Sequence, residues 1–264
     1  MDSQNGGGPA RPLSSFYAQC VVAIGEGVFE TLQVLHSRPI AITRHLDRLA
    51  RSATRLGLEA PVPTEVHRQL EQHLAQRPLP LGRLRLTWLA TEKGATLTID
   101  SAPTQPPAAA VALAISQWRV DETSPLSGLK TTAYAGYLAA ARAARSEGFD
   151  DALLTTVAGL VCETTTANIF FVLDGLLCTP PTSAGCLPGI ARGLVLDLYE
   201  VAEVTVPIAM LAAATEVFIT SSLREVQAVS RIGTWTYPIP GPVTTEVAAA
   251  WRRLLDSDSD PAPR

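Results

Sequence analysis

The chain has 264 residues, 47% hydrophobic and 17% charged, with a formal net charge of −4. That length and balance give a folded chain with a sizeable core and exclude a disordered one. The acidic balance argues against a general nucleic-acid binder, and no apolar run approaches the roughly 20 residues of a membrane span.

The opening stretch, residues 1–15 (MDSQNGGGPARPLSS), lacks the charged-then-apolar order of a secretion signal and reads as a flexible leader. Residues 16–118 read as a small α+β domain. In it, VFETLQVLH and PIAIT alternate like paired strands around the turn at Ser37-Arg38-Pro39. RHLDRLARSATRLGL sets Leu46, Leu49, Ala53 and Leu56 on one helical face, and a second helix is predicted over Pro63–Ala75. Strands are predicted at GRLRLTWLAT, ATLTIDS and AAVALAISQW.

The polar, Pro- and Gly-punctuated residues 119–128 read as an interdomain linker. Residues 129–256 read as a larger domain. It opens with the Ala-rich helix of AYAGYLAAARAARSEG, ended by Gly148. The strands DALLTT, LVCET, ANIFFVL and LLCTP follow, then a helix from about Gly189 to Val201. Strands EVFITSS and VQAVSRI precede a closing helix in VTTEVAAAWRRLL. The charged tail, residues 257–264, is expected to fray. Antiparallel strands packed with helices make the expected class α+β.

Four cysteines, Cys20, Cys162, Cys178 and Cys186, are widely spaced without a CxxC pair. That usage fits a reducing cytoplasm, with the thiols as small core side chains. No histidine stands at metal-ligand spacing with another His or Cys, so no metal site is expected. Of the 21 basic residues only two, Lys93 and Lys130, are lysines. A chain that otherwise uses arginine makes a retained lysine a candidate for chemistry that needs a neutral amine. Lys93 sits in the hydrophilic turn TEKG and reads as a surface residue.

Four stretches are local oddities: SGLKTTAY, LVCETTTANIF, GCLPGIAR and FITSSLREV. Each has an ordinary explanation alone: a helix start, a strand end, a helix cap, a turn. Together they hold the inventory that pyridoxal 5'-phosphate (PLP) requires. Lys130 offers an amine for the aldehyde, and Glu163 a carboxylate for the ring nitrogen. Arg48, the helix start at Gly189-Ile190, and Ser221-Ser222 offer donors for the phosphate.

GEGVFETLQV, HLDRL, LKTTAY, GFDDALLTT through CETTTANIF, CTPPTSAGCLPGIAR and FITSSLREV also occur in the order seen in fold-type IV PLP enzymes. That family includes branched-chain and D-amino-acid aminotransferases and 4-amino-4-deoxychorismate lyase, and the resemblance spans roughly residues 24 to 256. It implies a two-domain fold with PLP between the domains, and a homodimer whose partner helps line the site. A mean hydropathy of +0.17 is compatible with a buried interface.

By that resemblance Lys130 forms the Schiff base and shuttles the proton, and Glu163 pairs with the pyridine nitrogen. Arg48 resembles the phosphate-clamping arginine. Gly189, Ile190 and Ala191 resemble the helix start that cradles the phosphate, assisted by Ser221 and Ser222. Tyr134 resembles the tyrosine that contacts the ring oxygen, and Thr31 sits where the small domain approaches substrate. Arg192 reads equally as a structural ion pair, and His45 as a structural residue at the strand-to-helix corner.

Three departures bear on the substrate. Ala191 replaces the usual hydroxyl residue of the phosphate turn, removing one hydrogen bond of about 1 kcal/mol. Ile24 replaces the aromatic residue that commonly precedes the GEG turn, altering the pocket wall. SSFYAQC stands in place of the usual opening strand. FETLQV resembles the lyase and D-amino-acid branch, and LKTTAY and FITSSLREV resemble the lyase branch, which together imply conversion of 4-amino-4-deoxychorismate to 4-aminobenzoate and pyruvate. The alternative is an aminotransferase acting on D-amino or branched-chain amino acids.

Overall fold

A computed structural model describes residues 26–262. The first half forms a four-stranded antiparallel sheet in the order β2-β1-β3-β4. Its strands are β1 (Gly27–Leu35), β2 (Arg38–Pro39), β3 (Leu81–Thr91) and β4 (Gly94–Pro103); helices α1 (Ile42–Arg55) and α2 (Pro63–Gln76) pack with them. Strand alternation sorts the side chains. Leu32, Val34, Leu84 and Leu86 join Leu46, Val66 and Leu70 of the helices in one core cluster. Phe29, Thr31, Arg83 and Arg85 lie on the opposite face, where they line a cavity.

The second sheet has the order β10-β9-β8-β11-β12-β5-β6-β7, with β13 beside β12. Its strands are β5 (Ala110–Val120), β6 (Asp151–Thr156), β7 (Val161–Thr164), β8 (Asn168–Leu173), β9 (Leu176–Thr179), β10 (Ala202–Glu203), β11 (Glu216–Ser221), β12 (Glu225–Ile232) and β13 (Trp235–Thr236). A pairing of Glu163 with Asn168 joins β7 back to β8 and closes six strands into a ring. Leu113, Leu153, Ile169, Phe171, Ile219 and Val229 belong to one core cluster of this sheet. Phe170 and Phe218, of opposite parity, stack at 5.0 Å and pack with Val195 and Val247. Those valines belong to helices α4 (Ile190–Leu198) and α5 (Pro242–Ser257), and α3 (Ala135–Ser146) packs on β5 and β6. Among the described residues no helix is long and apolar enough to cross a membrane.

Three boundaries differ from the sequence expectation. Strand β5, grouped above with the first domain, belongs to the second sheet, parallel to both β12 and β6. Parallel partners lie far away in sequence, so its apolar alternation carries no sign of which sheet it joins. The linker loses Arg119 and Val120 to that strand, and its remainder folds into turns tied to Gly185 by the Gly128 amide at 3.2 Å.

The described part of the tail, up to residue 262, is also held rather than frayed. Helix α1 has no side-chain cap of its own, and Asp260 supplies one: Thr43 N donates to Oδ1 at 3.0 Å and Thr43 Oγ1 to Oδ2 at 2.6 Å. Arg44 donates from Nε to the Pro261 carbonyl at 2.9 Å and from Nη2 to that of Ala262 at 2.7 Å. A charged tail reads as solvated in sequence because the helix end that recruits it lies at the other end of the chain.

Candidate active site

Lys130 follows the turns of residues 121–129 and lies alongside β1. Phe29 N donates to the Lys130 carbonyl at 2.9 Å, and Thr132 N to the Gly27 carbonyl at 2.9 Å. This pairing holds Nζ 4.6 Å from the centroid of the Phe29 ring. Burial, then the nearby Arg48 charge, lowers the amine to about 8, against the opposing pull of Glu30 and Glu163. A neutral nucleophilic amine is therefore accessible near neutral pH.

Glu163 projects from β7 and is 6% exposed. Tyr137 Oη donates to its Oε1 at 3.0 Å and Leu187 N to its Oε2 at 3.0 Å. Burial raises the carboxyl to about 7 despite those hydrogen bonds and the Lys130 charge. A buried carboxyl so placed favours a cationic N–H partner, which would return it to its ionised form.

Donors also gather along the cavity lining. Helix α4 starts at Ile190 after Gly189 with no side-chain cap, and its first intrahelical bond runs from Gly193 N to the Gly189 carbonyl. The amides of Ile190, Ala191 and Arg192 precede that bond and have no acceptor within the helix. A Cβ at Gly189 would collide with Asn168 Oδ1, so a side chain there requires Asn168 to shift.

Arg48, 4% exposed on α1, donates to Glu30 from Nε at 2.8 Å and Nη2 at 2.6 Å, and from Nη1 to the Pro188 carbonyl at 2.9 Å. A guanidinium has five N–H groups, so one remains on each terminal nitrogen. Glu30 is raised by burial but lowered more by Arg48 and then His45, and stands at about 2. His45 Nδ1 lies 2.7 Å from Glu30 Oε2, and its Nε2 lies 3.2 Å from Ser222 Oγ.

A cavity of about 580 Å³ brings the expected residues together: Thr31, Arg48, Lys130, Tyr134, Glu163, Gly189, Ile190, Ala191, Ser221 and Ser222 all line it. Ile24 and Cys20 lie outside the described residues. Tyr134 stacks on Tyr137 at 4.9 Å, and its hydroxyl donates to the Thr165 carbonyl. Ser221 Oγ accepts from Arg224 N at 3.2 Å. Arg192 takes the structural alternative, pairing with Glu203 and the Pro180 carbonyl.

Several lining or supporting residues escaped the sequence reading: Glu30, Tyr137, Arg83, Arg85 and Arg224. Tyr137 follows Tyr134 by one helical turn, a spacing visible in TAYAGY. Glu30 stands between the outward Phe29 and Thr31, and its burial depends on an arginine from α1. Arg224 lies 3.6 Å from buried Asp151, which also accepts from Thr166 Oγ1 at 2.9 Å.

The sequence model of the family described as Amino-transferase class IV matches residues 27–232. The chain belongs to that family. A provisionally named branched-chain-amino-acid aminotransferase of Rickettsia typhi is 29% identical over 224 residues, covering 78% of this chain and 77% of the relative. Among solved structures, a provisionally named 4-amino-4-deoxychorismate lyase of Legionella pneumophila superposes with a TM-score of 0.84 at 25% identity. It covers 92% of this chain and 96% of its own. A branched-chain amino acid aminotransferase of Thermobaculum terrenum, solved in its PLP form, has a TM-score of 0.83 at 21% identity. That match covers 89% of this chain and 87% of the other.

Class IV aminotransferases are PLP enzymes, and the geometry fits the cofactor's three demands. Lys130, of lowered pKa, would offer the amine for its aldehyde, and Glu163, a buried carboxyl of raised pKa, would serve its ring nitrogen. The uncapped helix amides and the two remaining N–H groups of Arg48 would hold its phosphate.

Proposed function

We propose that this class IV enzyme is a 4-amino-4-deoxychorismate lyase that releases 4-aminobenzoate and pyruvate. The observation that carries this reading is Arg85. It lines the cavity with no hydrogen-bond or ion-pair partner among the described residues, its guanidinium 3.7 Å from the Phe29 ring centroid. Burial, then neighbouring Arg83, lowers its pKa, so an incoming anion would relieve an existing cost. Arg83 and Arg224 line the same cavity. A branched aliphatic side chain calls for an apolar wall, whereas the lyase substrate carries two carboxylates.

In this reading PLP supplies the electron sink. The Arg48 N–H groups and the α4 amides bind the phosphate, and Glu163 keeps the ring nitrogen protonated. Lys130 Nζ would take the proton from the carbon beside the substrate nitrogen. Breaking the bond to the enolpyruvyl oxygen would leave an aromatic ring, and the departing enolpyruvate would take a proton at its methylene carbon to become pyruvate. The atoms of one substrate molecule make both products, so no second substrate is required.

The deciding assay is pyruvate release from 4-amino-4-deoxychorismate without any added 2-oxo acid. Turnover only with an amino-acid and oxo-acid pair would overturn the lyase reading in favour of an aminotransferase, the activity in the name of the R. typhi relative. Arg85→Leu should raise KM for the dicarboxylate by roughly 10- to 100-fold, the worth of one hydrogen bond to a charged group.

We also propose a homodimer. Leu126 and Leu138 are 42% and 46% exposed, and Leu138 lies at the cavity wall. Light scattering on the purified protein tests this. The described cysteines, Cys162, Cys178 and Cys186, are buried free thiols, which supports a reducing, cytoplasmic setting.

A further inference from the structure

His45 is 1% exposed and touches two partners at once: Glu30 Oε2 from Nδ1 at 2.7 Å and Ser222 Oγ from Nε2 at 3.2 Å. Glu30 is ionised and can only accept, so Nδ1 carries a hydrogen. In a neutral imidazole Nε2 is then bare and accepts too. Ser222 has one hydroxyl hydrogen, and His45 draws it away from the cavity. Only the Ser222 lone pairs then face the place where Arg48 and α4 gather donors for an anion. A protonated His45 reverses the chain: Nε2 donates to Ser222 Oγ, and the hydroxyl hydrogen turns into the cavity.

The charges facing His45 come from three elements: Glu30 on β1, Arg48 on α1 and Lys130 on the segment before α3. Burial first, with Arg48 and Lys130 adding to it, holds the imidazole below its ordinary range against Glu30, so it is neutral in the ligand-free protein. A dianion in the cradle changes that balance by adding negative charge beside Ser222 and Arg48.

We infer that His45 takes up a proton when a dianionic phosphate group enters the cradle, turning Ser222 from acceptor to donor. His45 is thus a proton-coupled positioning residue, acting through Ser222. The cradle stands on geometry; only the identity of the phosphate rests on the PLP reading.

The test is nitrogen NMR of protein labelled at histidine, at pH about 7, where free His45 is neutral. The probes are sodium sulfate, a dianion that does not itself titrate near neutrality, and PLP. Both should convert the His45 ring signals from the Nδ1–H neutral pattern to that of imidazolium. Ring shifts are needed because Lys130 and Glu163 also titrate near neutrality. Sulfate affinity should fall by up to about tenfold per pH unit above the His45 pKa, and His45→Gln should remove that component. Ser222→Ala, which keeps the imidazole, should shrink the ring-shift response.

PLP that forms its visible lysine-bound band while His45 stays neutral would overturn the inference and leave the cofactor reading intact. Sulfate that protonates His45 where PLP gives no band would do the reverse. Failure of both anions to bind the cradle overturns the inference.

Discussion

Glu30 and Arg48 meet side by side, with Nε 2.8 Å from Oε1 and Nη2 2.6 Å from Oε2. This bidentate fork joins β1 to α1 and fixes the guanidinium so that its unused N–H groups remain for the cavity. Both residues are buried, and neither charge has solvent to fall back on.

Glu30→Gln leaves Arg48 buried without its counter-charge. It should lower the stability of the cofactor-free protein by about 3–5 kcal/mol, read by urea unfolding, and loosen PLP on dialysis. The Glu30 carboxyl is held near 2 in the fold, below its ordinary 4.5. Its stabilisation is therefore present above about pH 4.5 and is lost as pH falls towards 2. The variant should lose that part of the acid sensitivity.

Glu163 has the opposite sign. Its folded value of about 7 exceeds the ordinary 4.5, so the fold is favoured at low pH, where the group is protonated. Cofactor-free protein should lose about 3 kcal/mol from this group as pH rises from 4.5 to 7. Glu163→Gln should flatten that decline in melting temperature against pH. With PLP present the same variant should lower kcat at least about 100-fold, because the ring nitrogen loses its carboxylate.

Lys130→Ala and Lys130→Arg should both abolish the visible absorption band formed with PLP. The arginine variant keeps the positive charge but has no accessible neutral amine, so it separates charge from nucleophilicity. A purified wild-type protein that stays colourless with added PLP would overturn the assignment of this lysine.

Gly189→Ala pushes a methyl group into Asn168 Oδ1. The backbone there, at φ −63°, suits any residue, so the cost is steric alone. We expect a loss of about 1–3 kcal/mol in thermal unfolding, with weaker phosphate binding. Adding Asn168→Ala, which also removes the donor to the Leu187 carbonyl, should recover part of the loss. A strictly additive double variant would show that the two side chains do not conflict.

The parts of the site legible in sequence were those whose chemistry is local. Lys130 stood out because arginine serves at all but one of the other basic positions, and the start of α4 because a Gly-Ile turn opens an apolar helix. Glu163 ended a strand beside three threonines. The missing parts depend on pairings across the fold. Glu30 in FET looks like any strand residue until α1 places Arg48 and His45 against it. Arg85 alternates out of β3 like a surface residue, and only the second half of the chain turns that face into a cavity wall. β5 displayed its strand character but not its parallel neighbours.

The Asp260 cap on α1 joins residues 217 positions apart. On the ribosome, α1 emerges carrying Arg48 and His45, but its N-terminal amide waits for 217 further residues to be made. Synthesis at about 5–20 residues per second puts a delay of ten seconds or more between the helix and its cap. The helix that carries Arg48 and His45 is thus capped only after Asp260 has been made. A change at Asp260 therefore reaches the helix that carries Arg48 and His45 from the far side of the sequence.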